Sequence, residues 1–252
     1  MSTRRLAIAA ALLAIVLAGA PAAHGADSAA LDIVRRLDSD EGPRTMRGEM
    51  TLRIYADAAS DRVTRVVRLL TMTRRGAESY TEFLAPANIA GIRMLQTADT
   101  LLVYFPSTGR VRPITGRART GSVGGVGGDF TYEDIDAASL QATYTDFRLV
   151  DDDARAWRIS AVPLASGSAY ERVTLHVEKN RHVVTRIDYF AGNEQVKRMD
   201  TTGFTSIVGR SVATEFTMVN LKAGSKSVLR IDDLEWNILL RDRLFDPNRF
   251  HQ

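Results

Sequence analysis

The chain has 252 residues, with 33 Lys and Arg residues against 30 Asp and Glu residues, and it contains no cysteine. The absence of thiols excludes disulfides, thiolate metal centres and lipid attachment to an N-terminal cysteine. Loss of Arg4 and Arg5 with the signal peptide inferred below leaves the charges almost balanced. A basic surface for nucleic acid is therefore not predicted.

The N-terminal residues have the order of segments found in secretory signal peptides. Two arginines precede an apolar run over residues 6–20, and small residues follow it. The run is shorter than the about 20 apolar residues that span a bilayer. We therefore predict a signal peptide over residues 1–25, cleaved after Ala22 or Gly25, and a single exported domain over residues 26–252 in the periplasm.

The segment behind the signal peptide has a helical period. Leu31, Val34 and Leu37 fall on one stripe, and Ser28 is placed to cap the first turn. We predict one amphipathic helix that packs against the rest of the domain.

From residue 45 onwards the apolar positions alternate with a period of two, which is typical of antiparallel strands with one exposed face. The first such segment has apolar or small residues at the even positions from Met46 to Ile54. In the second, we assign Val66, Leu70 and Met72 to one face. Similar segments recur along the chain, and we predict about ten or eleven strands, few helices and no internal domain boundary.

Residues 121–135, GSVGGVGGDFTYEDI, interrupt the strands and are called the glycine loop below. A phosphate-binding P-loop needs Lys and Ser or Thr after its last glycine, whereas Asp and Phe follow here. The glycines supply backbone freedom instead, so we predict a mobile flap. Thr131 and Asp134 have the spacing of a capping box, which predicts a short helix over residues 131–138.

The sequence contains no recognisable catalytic set. It lacks the G-x-S-x-G nucleophile motif, and His176 and His182 flank a predicted hairpin turn on a charged strand face. The acidic run Asp151 to Asp153 lacks the spacing of a calcium loop. We therefore predict neither an enzyme activity nor a metal or other cofactor.

Three motifs occur in order, namely FLAPANIAGIRML at 83–95, LLVYFPSTGRVRPI at 101–114 and GGDFTYEDI at 127–135. In these motifs and in its C-terminal segment, the chain resembles the outer-membrane lipoprotein-sorting family of LolA/LolB-like carriers. Within that family it is most similar to a branch associated with RND-type lipid exporters. Leu102 replaces an aromatic residue that is usual in the branch, and Gly128 replaces a serine.

The resemblance implies a β-rich α+β fold, namely an unclosed antiparallel half-barrel whose helices plug a hydrophobic cavity. It implies a monomeric carrier of lipid or lipoprotein acyl chains that serves an inner-membrane RND-type transporter. An envelope-stress sensor or interaction module on the same half-barrel is the alternative, and a lipid-active enzyme is a third possibility. We assign to the cavity lining Met50, Leu52, Ile54, Leu70, Met72, Phe83, Met94, Leu102 and Tyr104. We assign to a lid over the cavity Gly124, Gly125, Gly127, Gly128, Phe130 and Tyr132.

Overall fold

The computed structural model describes residues 27–39, 43–74, 78–97, 100–135, 139–207 and 209–252. The predicted signal peptide and its cleavage sites lie outside the described residues. The described elements, in chain order, are α1 Ser28–Leu37, β1 Thr45–Tyr55, β2 Val63–Arg74, β3 Glu78–Ala85, β4 Arg93–Gln96, β5 Leu101–Phe105, β6 Arg110–Pro113, α2 Leu140–Thr143, β7 Tyr144–Asp152, β8 Ala156–Pro163, β9 Arg172–Glu178, β10 Val183–Ala191, β11 Glu194–Ile207, β12 Arg210–Asn220 and β13 Ser225–Trp236.

All strands in the described residues belong to one antiparallel sheet of 13 strands, in the order β6-β5-β4-β3-β2-β1-β13-β12-β11-β10-β9-β8-β7. Two meanders, β1 to β6 and β7 to β13, join where β1 pairs with β13. The sheet remains open, with β6 and β7 as its two edges. The predicted unclosed antiparallel half-barrel is therefore confirmed.

The predicted strand number of ten or eleven is too low because the two edge strands carry weak signals. β6 has only four residues and ends on a proline, which cannot donate a ladder hydrogen bond. β7 ends in the acidic run Asp151 to Asp153, and aspartate is depleted in strands. Asp151 and Asp152 are its last two residues and pair with β8.

The predicted N-terminal helix is present as α1, which packs against β7 and α2. Its cap is Asp27 rather than the predicted Ser28, since the Asp27 carboxylate accepts a hydrogen bond of 3.0 Å from the Ala29 amide. The carboxylate of Asp38 at its other end caps α2 through the amides of Leu140 and Gln141. None of the helices in the described part of the chain combines the length and hydrophobicity needed to cross a membrane.

The strand register divides the sheet into an inner face, which holds the main hydrophobic core, and an outer face. Met50 pairs with Leu69, and Leu52 pairs with Val67, so these four side chains point inwards. Leu70 and Met72 have the opposite parity and point outwards. The prediction that Leu70 and Met72 lie on the inner face of β2 is therefore wrong.

The C-terminal segment covers the outer face of the first meander. Phe245 and Phe250 pack with Tyr80 of β3 and Leu95 of β4 in a second, smaller core. The guanidinium of Arg74 lies 4.0 Å from the centre of the Phe245 ring. This half of the sheet is therefore apolar on both faces, which explains why its sequence does not reveal which face points inwards.

Candidate functional site: a cavity on the inner face of the sheet

A cavity of about 350 Å³ opens on the inner face of the sheet. This volume lies within the range of about 300–1,000 Å³ that is usual for small-molecule sites. Its walls come from strands β1 to β5, β11, β12 and β13 and from the glycine loop. The residues that line it are Met50, Leu52, Leu69, Thr71, Thr73, Ser79, Thr81, Phe83, Met94, Gln96, Leu101, Val123, Val126, Phe130, Asp134, Ile135, Met199, Phe216 and Leu229.

Four of the nine residues assigned to the lining from the sequence lie in the cavity wall. Met50 and Leu52 reach it from β1, Phe83 from β3 and Met94 from β4. The register brings them together, because Leu69 on β2 lies between Met50 and Phe83 and pairs with both.

The assignment to the lining is wrong for the other five residues. Leu70, Met72, Leu102 and Tyr104 lie on the outer face, where the last three contact the second core beneath the C-terminal segment. Large apolar side chains favour an inner position in a strand, but the C-terminal segment of the same chain covers Met72, Leu102 and Tyr104 on the outer face. Ile54 points inwards and packs against the main core, beneath the glycine loop, rather than lining the cavity.

The part of the cavity on β2 to β4 also contains polar side chains, next to Leu69, Phe83 and Met94, and the sequence does not predict them. The hydroxyls of Thr71 and Thr81 lie 3.0 Å apart and share a hydrogen bond. In the next row of the register, Thr73 pairs with Ser79, and Ser79 pairs with Gln96. The sequence signal for these polar residues is the series Val67, Leu69, Thr71, Thr73, which occupies every second position of β2 and faces inwards.

The glycine loop lies in the connection between the two edge strands, β6 and β7, and crosses the inner face of the sheet as a hairpin. Ser122 and Thr131 form an isolated antiparallel bridge, and the Val123 amide donates to the Phe130 carbonyl at 3.3 Å. Residues 124–130 are called the tip of the loop below. The tip points into the half-barrel, with Val126 and Phe130 in the cavity wall. The predicted flap is thus a packed part of the interior.

Two glycines are required where the tip of the loop touches the sheet. At Gly124, φ is +60°, and a Cβ would lie 2.7 Å from Cζ of Phe83. At Gly128, φ is +85°, and a Cβ would lie 3.0 Å from Cδ1 of Ile54. Gly125 and Gly127 also have positive φ, but no neighbour lies within 4 Å of their Cβ positions, so they serve the turn rather than the contact.

Polar contacts clamp the tip to three strands. The buried Asp129 carboxylate accepts hydrogen bonds from the hydroxyls of Ser225 and Ser227 on β13, the second at 2.6 Å. Lys197 on β11 donates to the Asp129 carbonyl at 2.9 Å, and Arg65 on β2 donates to a carbonyl of the tip at 2.6 Å. To leave the sheet, the tip must exchange these bonds for water and expose the buried side chains of Val126 and Phe130.

The base of the loop is held by Asp134, whose carboxylate is fully buried. It lies 3.0 Å from Nζ of Lys197 and accepts a hydrogen bond of 2.8 Å from the Tyr170 hydroxyl. Burial, followed by the charge of Asp134, raises the pKa of Tyr170 well above its ordinary value. Thr131 donates to the same carboxylate through its amide and its hydroxyl, both at 2.8 Å.

The predicted reciprocal capping contact of Thr131 and Asp134 is therefore formed, but it closes a turn and not a helix. Residues 132–135 are a turn, and positions 136–138 of the predicted helix lie outside the described residues.

The two aromatic residues assigned to the lid have different positions. Phe130 lines the cavity, whereas Tyr132 lies behind the tip, where its hydroxyl accepts a hydrogen bond of 2.9 Å from the Gly124 amide. Burial raises the pKa of Tyr132. Tyr132 thus supports the turn that presents Phe130.

The histidine that the sequence analysis placed on a charged strand face has a specific partner there. His176 on β9 lies on the outer face with Nε2 2.7 Å from Oδ2 of Asp188, which also accepts from Arg186 and Gln195. This cluster is on the opposite side of the sheet from the cavity.

Comparison with known proteins places this geometry in a family and a fold. A protein-family model with the description "-like: Uncharacterized protein" matches residues 76–252. No curated protein matches the chain significantly.

Solved structures from three bacteria share the fold. A Vibrio parahaemolyticus domain described as an outer membrane lipoprotein-sorting protein is 19% identical, with a TM-score of 0.76 over 88% of this chain and 98% of that one. A DUF1329 family protein from Desulfovibrio piger is 21% identical, with a TM-score of 0.74 over 87% and 97% of the two chains. A LolA superfamily protein from Nitrosomonas europaea is 19% identical, with a TM-score of 0.71 over 87% and 98%.

At these identities the likeness establishes the fold and leaves the ligand open. The matched family model covers well over half of the chain, and the three structures cover almost all of its described part. The chain therefore belongs to the family whose model matches residues 76–252, and it has the fold of the LolA-superfamily lipoprotein-sorting proteins.

Proposed function

We propose that this protein is a periplasmic carrier that binds acyl chains of lipids or lipoproteins in its inner cavity and delivers them to a membrane partner. The observation that carries the proposal is the cavity itself, whose lining is mostly apolar and includes three adaptable methionines, Met50, Met94 and Met199. An acyl chain in water is unfavourable by about 0.8 kcal/mol per CH₂, so a carrier must bury it in a site of this kind.

The position of the glycine loop supports a role as the gate of the cavity. Val126 and Phe130 form part of the wall, while Asp129 attaches the same tip to Ser225 and Ser227 through hydrogen bonds. Opening at the tip would therefore widen the cavity without separating any strand pair. The transporter class that the sequence resemblance implies, an RND-type exporter, is the partner we propose for delivery.

Occupancy of the cavity can be tested with two tryptophan variants at neighbouring positions. Leu69 points into the cavity and Leu70 points to the outer face. We expect Leu69→Trp to reduce binding of diphenylhexatriene, an uncharged apolar fluorophore, by at least about tenfold, because the added ring occupies the ligand space. Leu70→Trp, the matched control, should bind like the wild type.

Ligand retained from the cell provides the second part of this test. Native mass spectrometry of protein purified from its own periplasm should detect a bound lipid. If no lipid is retained and diphenylhexatriene fluorescence shows no binding to the wild type, the carrier proposal is wrong. An interaction module would then be the better explanation of the fold.

The gate can be tested with a disulfide, since the chain has no cysteine of its own. The Asp129 carboxylate at the tip of the loop lies 2.6 Å from Oγ of Ser227, so cysteines at these two positions would be adjacent. We expect the double variant Asp129→Cys and Ser227→Cys to exchange bound diphenylhexatriene much more slowly when oxidised than when reduced. Equal exchange rates in the two redox states would show that the tip is not the gate.

A further inference from the structure

The chemistry of the cavity wall differs between its two parts. Met50, Leu52, Leu229, Phe216 and Met199 form an apolar wall across β1, β13, β12 and β11. On the other side lies what we call the polar band, which consists of Thr71, Thr73, Ser79, Thr81 and Gln96 on β2 to β4. Leu69, Phe83 and Met94 on the same three strands adjoin the polar band. A ligand that fills the whole cavity thus meets apolar side chains over most of its surface and hydrogen-bonding groups at the polar band.

The polar band has hydrogen-bonding capacity that the protein itself does not use. The hydroxyls of Thr73 and Ser79 make no hydrogen bond with the described residues, and both side chains are half-buried. Thr71 and Thr81 bond to each other, and because each hydroxyl has one proton and two lone pairs, the pair retains a free donor. Hydroxyls directed into a partly enclosed space favour a ligand that can complete their hydrogen bonds.

The described lining contains no cation that could neutralise an anionic head group. Asp134 is its only charged residue, and this carboxylate is already paired with Lys197 at 3.0 Å. The ammonium of Lys197 is not free to bind a ligand anion, since it also donates to the Asp129 carbonyl. A phosphate or carboxylate placed in the cavity would lose its hydration without gaining a counter-ion, which is strongly unfavourable.

From these observations we propose that the cavity selects amphiphiles with an uncharged, hydrogen-bonding head group, such as the hydroxyl or ester of a glycerolipid, and that the polar band binds this head group. The inference rests on the proposed function as a lipid carrier and specifies its ligand class. The acyl chain lies against Met50, Leu52 and Phe216, and the head group lies against Thr71, Thr81 and their neighbours. An anionic phospholipid with the same chain is bound more weakly.

A matched pair of ligands tests this selectivity. Monolauroylglycerol and its 3-phosphate share one acyl chain and differ only in the charged group, and both can compete with diphenylhexatriene below their micellar concentrations. We expect the uncharged ligand to bind at least about tenfold more tightly. If diphenylhexatriene binds but the phosphate competes equally well or better, the selectivity is refuted while the carrier function stands. If diphenylhexatriene itself does not bind, the carrier function fails first.

Two sets of variants locate the head group. Thr71→Val combined with Thr81→Val keeps the shape of the wall and removes two hydroxyls, so the affinity for monolauroylglycerol should fall about tenfold relative to the affinity for diphenylhexatriene, which has no hydrogen-bonding group. Thr205→Val, at an exposed position of β11, is the control and should change neither. Thr73→Lys adds a cation to the polar band and should improve binding of the 3-phosphate.

Thermal unfolding of each variant, followed by circular dichroism, establishes that it is folded before its affinity is compared. Unchanged monolauroylglycerol affinity in a folded Thr71→Val and Thr81→Val variant would overturn the assignment of the polar band. So would a folded Thr73→Lys variant that binds the 3-phosphate no better than the wild type.

Discussion

The ammonium of Lys197 on β11 lies 3.0 Å from the carboxylate of Asp134, at the base of the glycine loop in the wall of the cavity. The Asp134 side chain is fully buried, and that of Lys197 is 11% exposed. Lys197 also bonds the Asp129 carbonyl, so one cation holds both ends of the segment that carries Phe130. The loop is therefore coupled to the sheet by a buried charge pair.

Loss of this cation should destabilise the protein strongly. We expect Lys197→Met to lower the free energy of unfolding by about 3–5 kcal/mol, because it leaves the Asp134 carboxylate buried without a counter-charge. Urea unfolding measures the change. Adding Asp134→Asn to the variant should recover part of the loss, since the amide oxygen can still accept from Tyr170 without carrying a charge.

The control for this prediction is an exposed ion pair of the same type. Lys222 and Glu194 lie 3.1 Å apart with more than half of each side chain exposed. Lys222→Met should change the unfolding free energy by less than about 1 kcal/mol. A comparable loss in the two lysine variants would contradict the importance of burial.

The Phe83 ring leaves no space for a side chain at Gly124, and a second prediction about the loop rests on this close approach. Gly124→Ala and Gly125→Ala both place a side chain at positive φ, which is unfavourable by about 1–2 kcal/mol. Only the first also drives a methyl group to 2.7 Å from Phe83. In thermal unfolding, Gly124→Ala should therefore be the less stable of the two.

The clash can be separated from the backbone strain by a compensating change. Phe83→Leu removes the ring that meets the new methyl group, at a loss of its own packing. The combined variant should be more stable than the sum of the two single changes implies, because they share one contact. Strict additivity would show that the ring is not what excludes a side chain at Gly124.

Most of the architecture could be predicted from alternation alone, because period-two patterns mark strands wherever one face is buried. In β9, for example, Val173, Leu175 and Val177 are fully buried, and the intervening residues are half-buried. The pattern failed in β2, where the outer positions Leu70 and Met72 are as apolar as the inner ones. Which face of β2 points inwards depends there on the C-terminal segment, whose Phe245 packs near Met72 although it lies 173 positions (245 − 72) further along the chain. No local pattern records this contact.

The cavity was harder to predict than the sheet for a related physical reason. Met50, Leu52, Phe83 and Met94 could be predicted in the wall because they are large and apolar. The polar band could not be predicted in this way, because Thr71 and Thr81 resemble ordinary exposed strand residues. The clamps of the loop were equally hidden, since Asp129 and its partner Ser227 are separated by 98 positions.

The second core beneath the C-terminal segment gives a prediction that is independent of the cavity. Phe250 is completely buried against Tyr80 and Leu95, so Phe250→Ala should lower the unfolding free energy by about 3–5 kcal/mol. Leu239, in the same segment, is 99% exposed, and Leu239→Ala should have an effect within about 0.5 kcal/mol. Similar losses in the two variants would show that the segment does not pack as described.

Alkaline pH should loosen the structure through tyrosines near the glycine loop. Burial raises the pKa of Tyr170 and of Tyr189 well above the value of 10 expected in an unfolded chain. Above about pH 10 the unfolded chain loses these protons while the folded protein retains them, so stability is intact below pH 10 and falls as pH rises. Each group contributes a slope of about 1.4 kcal/mol per pH unit.

Tyr170→Phe isolates one of these groups. The variant should be less stable at neutral pH because the Tyr170 hydroxyl no longer donates to Asp134. Above pH 10, however, its free energy of unfolding should fall less steeply than that of the wild type by about 1.4 kcal/mol per pH unit, since one titrating group is gone. Urea unfolding between pH 8 and pH 11 measures both slopes, and all other titrating groups cancel in their difference. Parallel curves for the two proteins would mean that Tyr170 ionises as readily in the folded protein as in the unfolded chain.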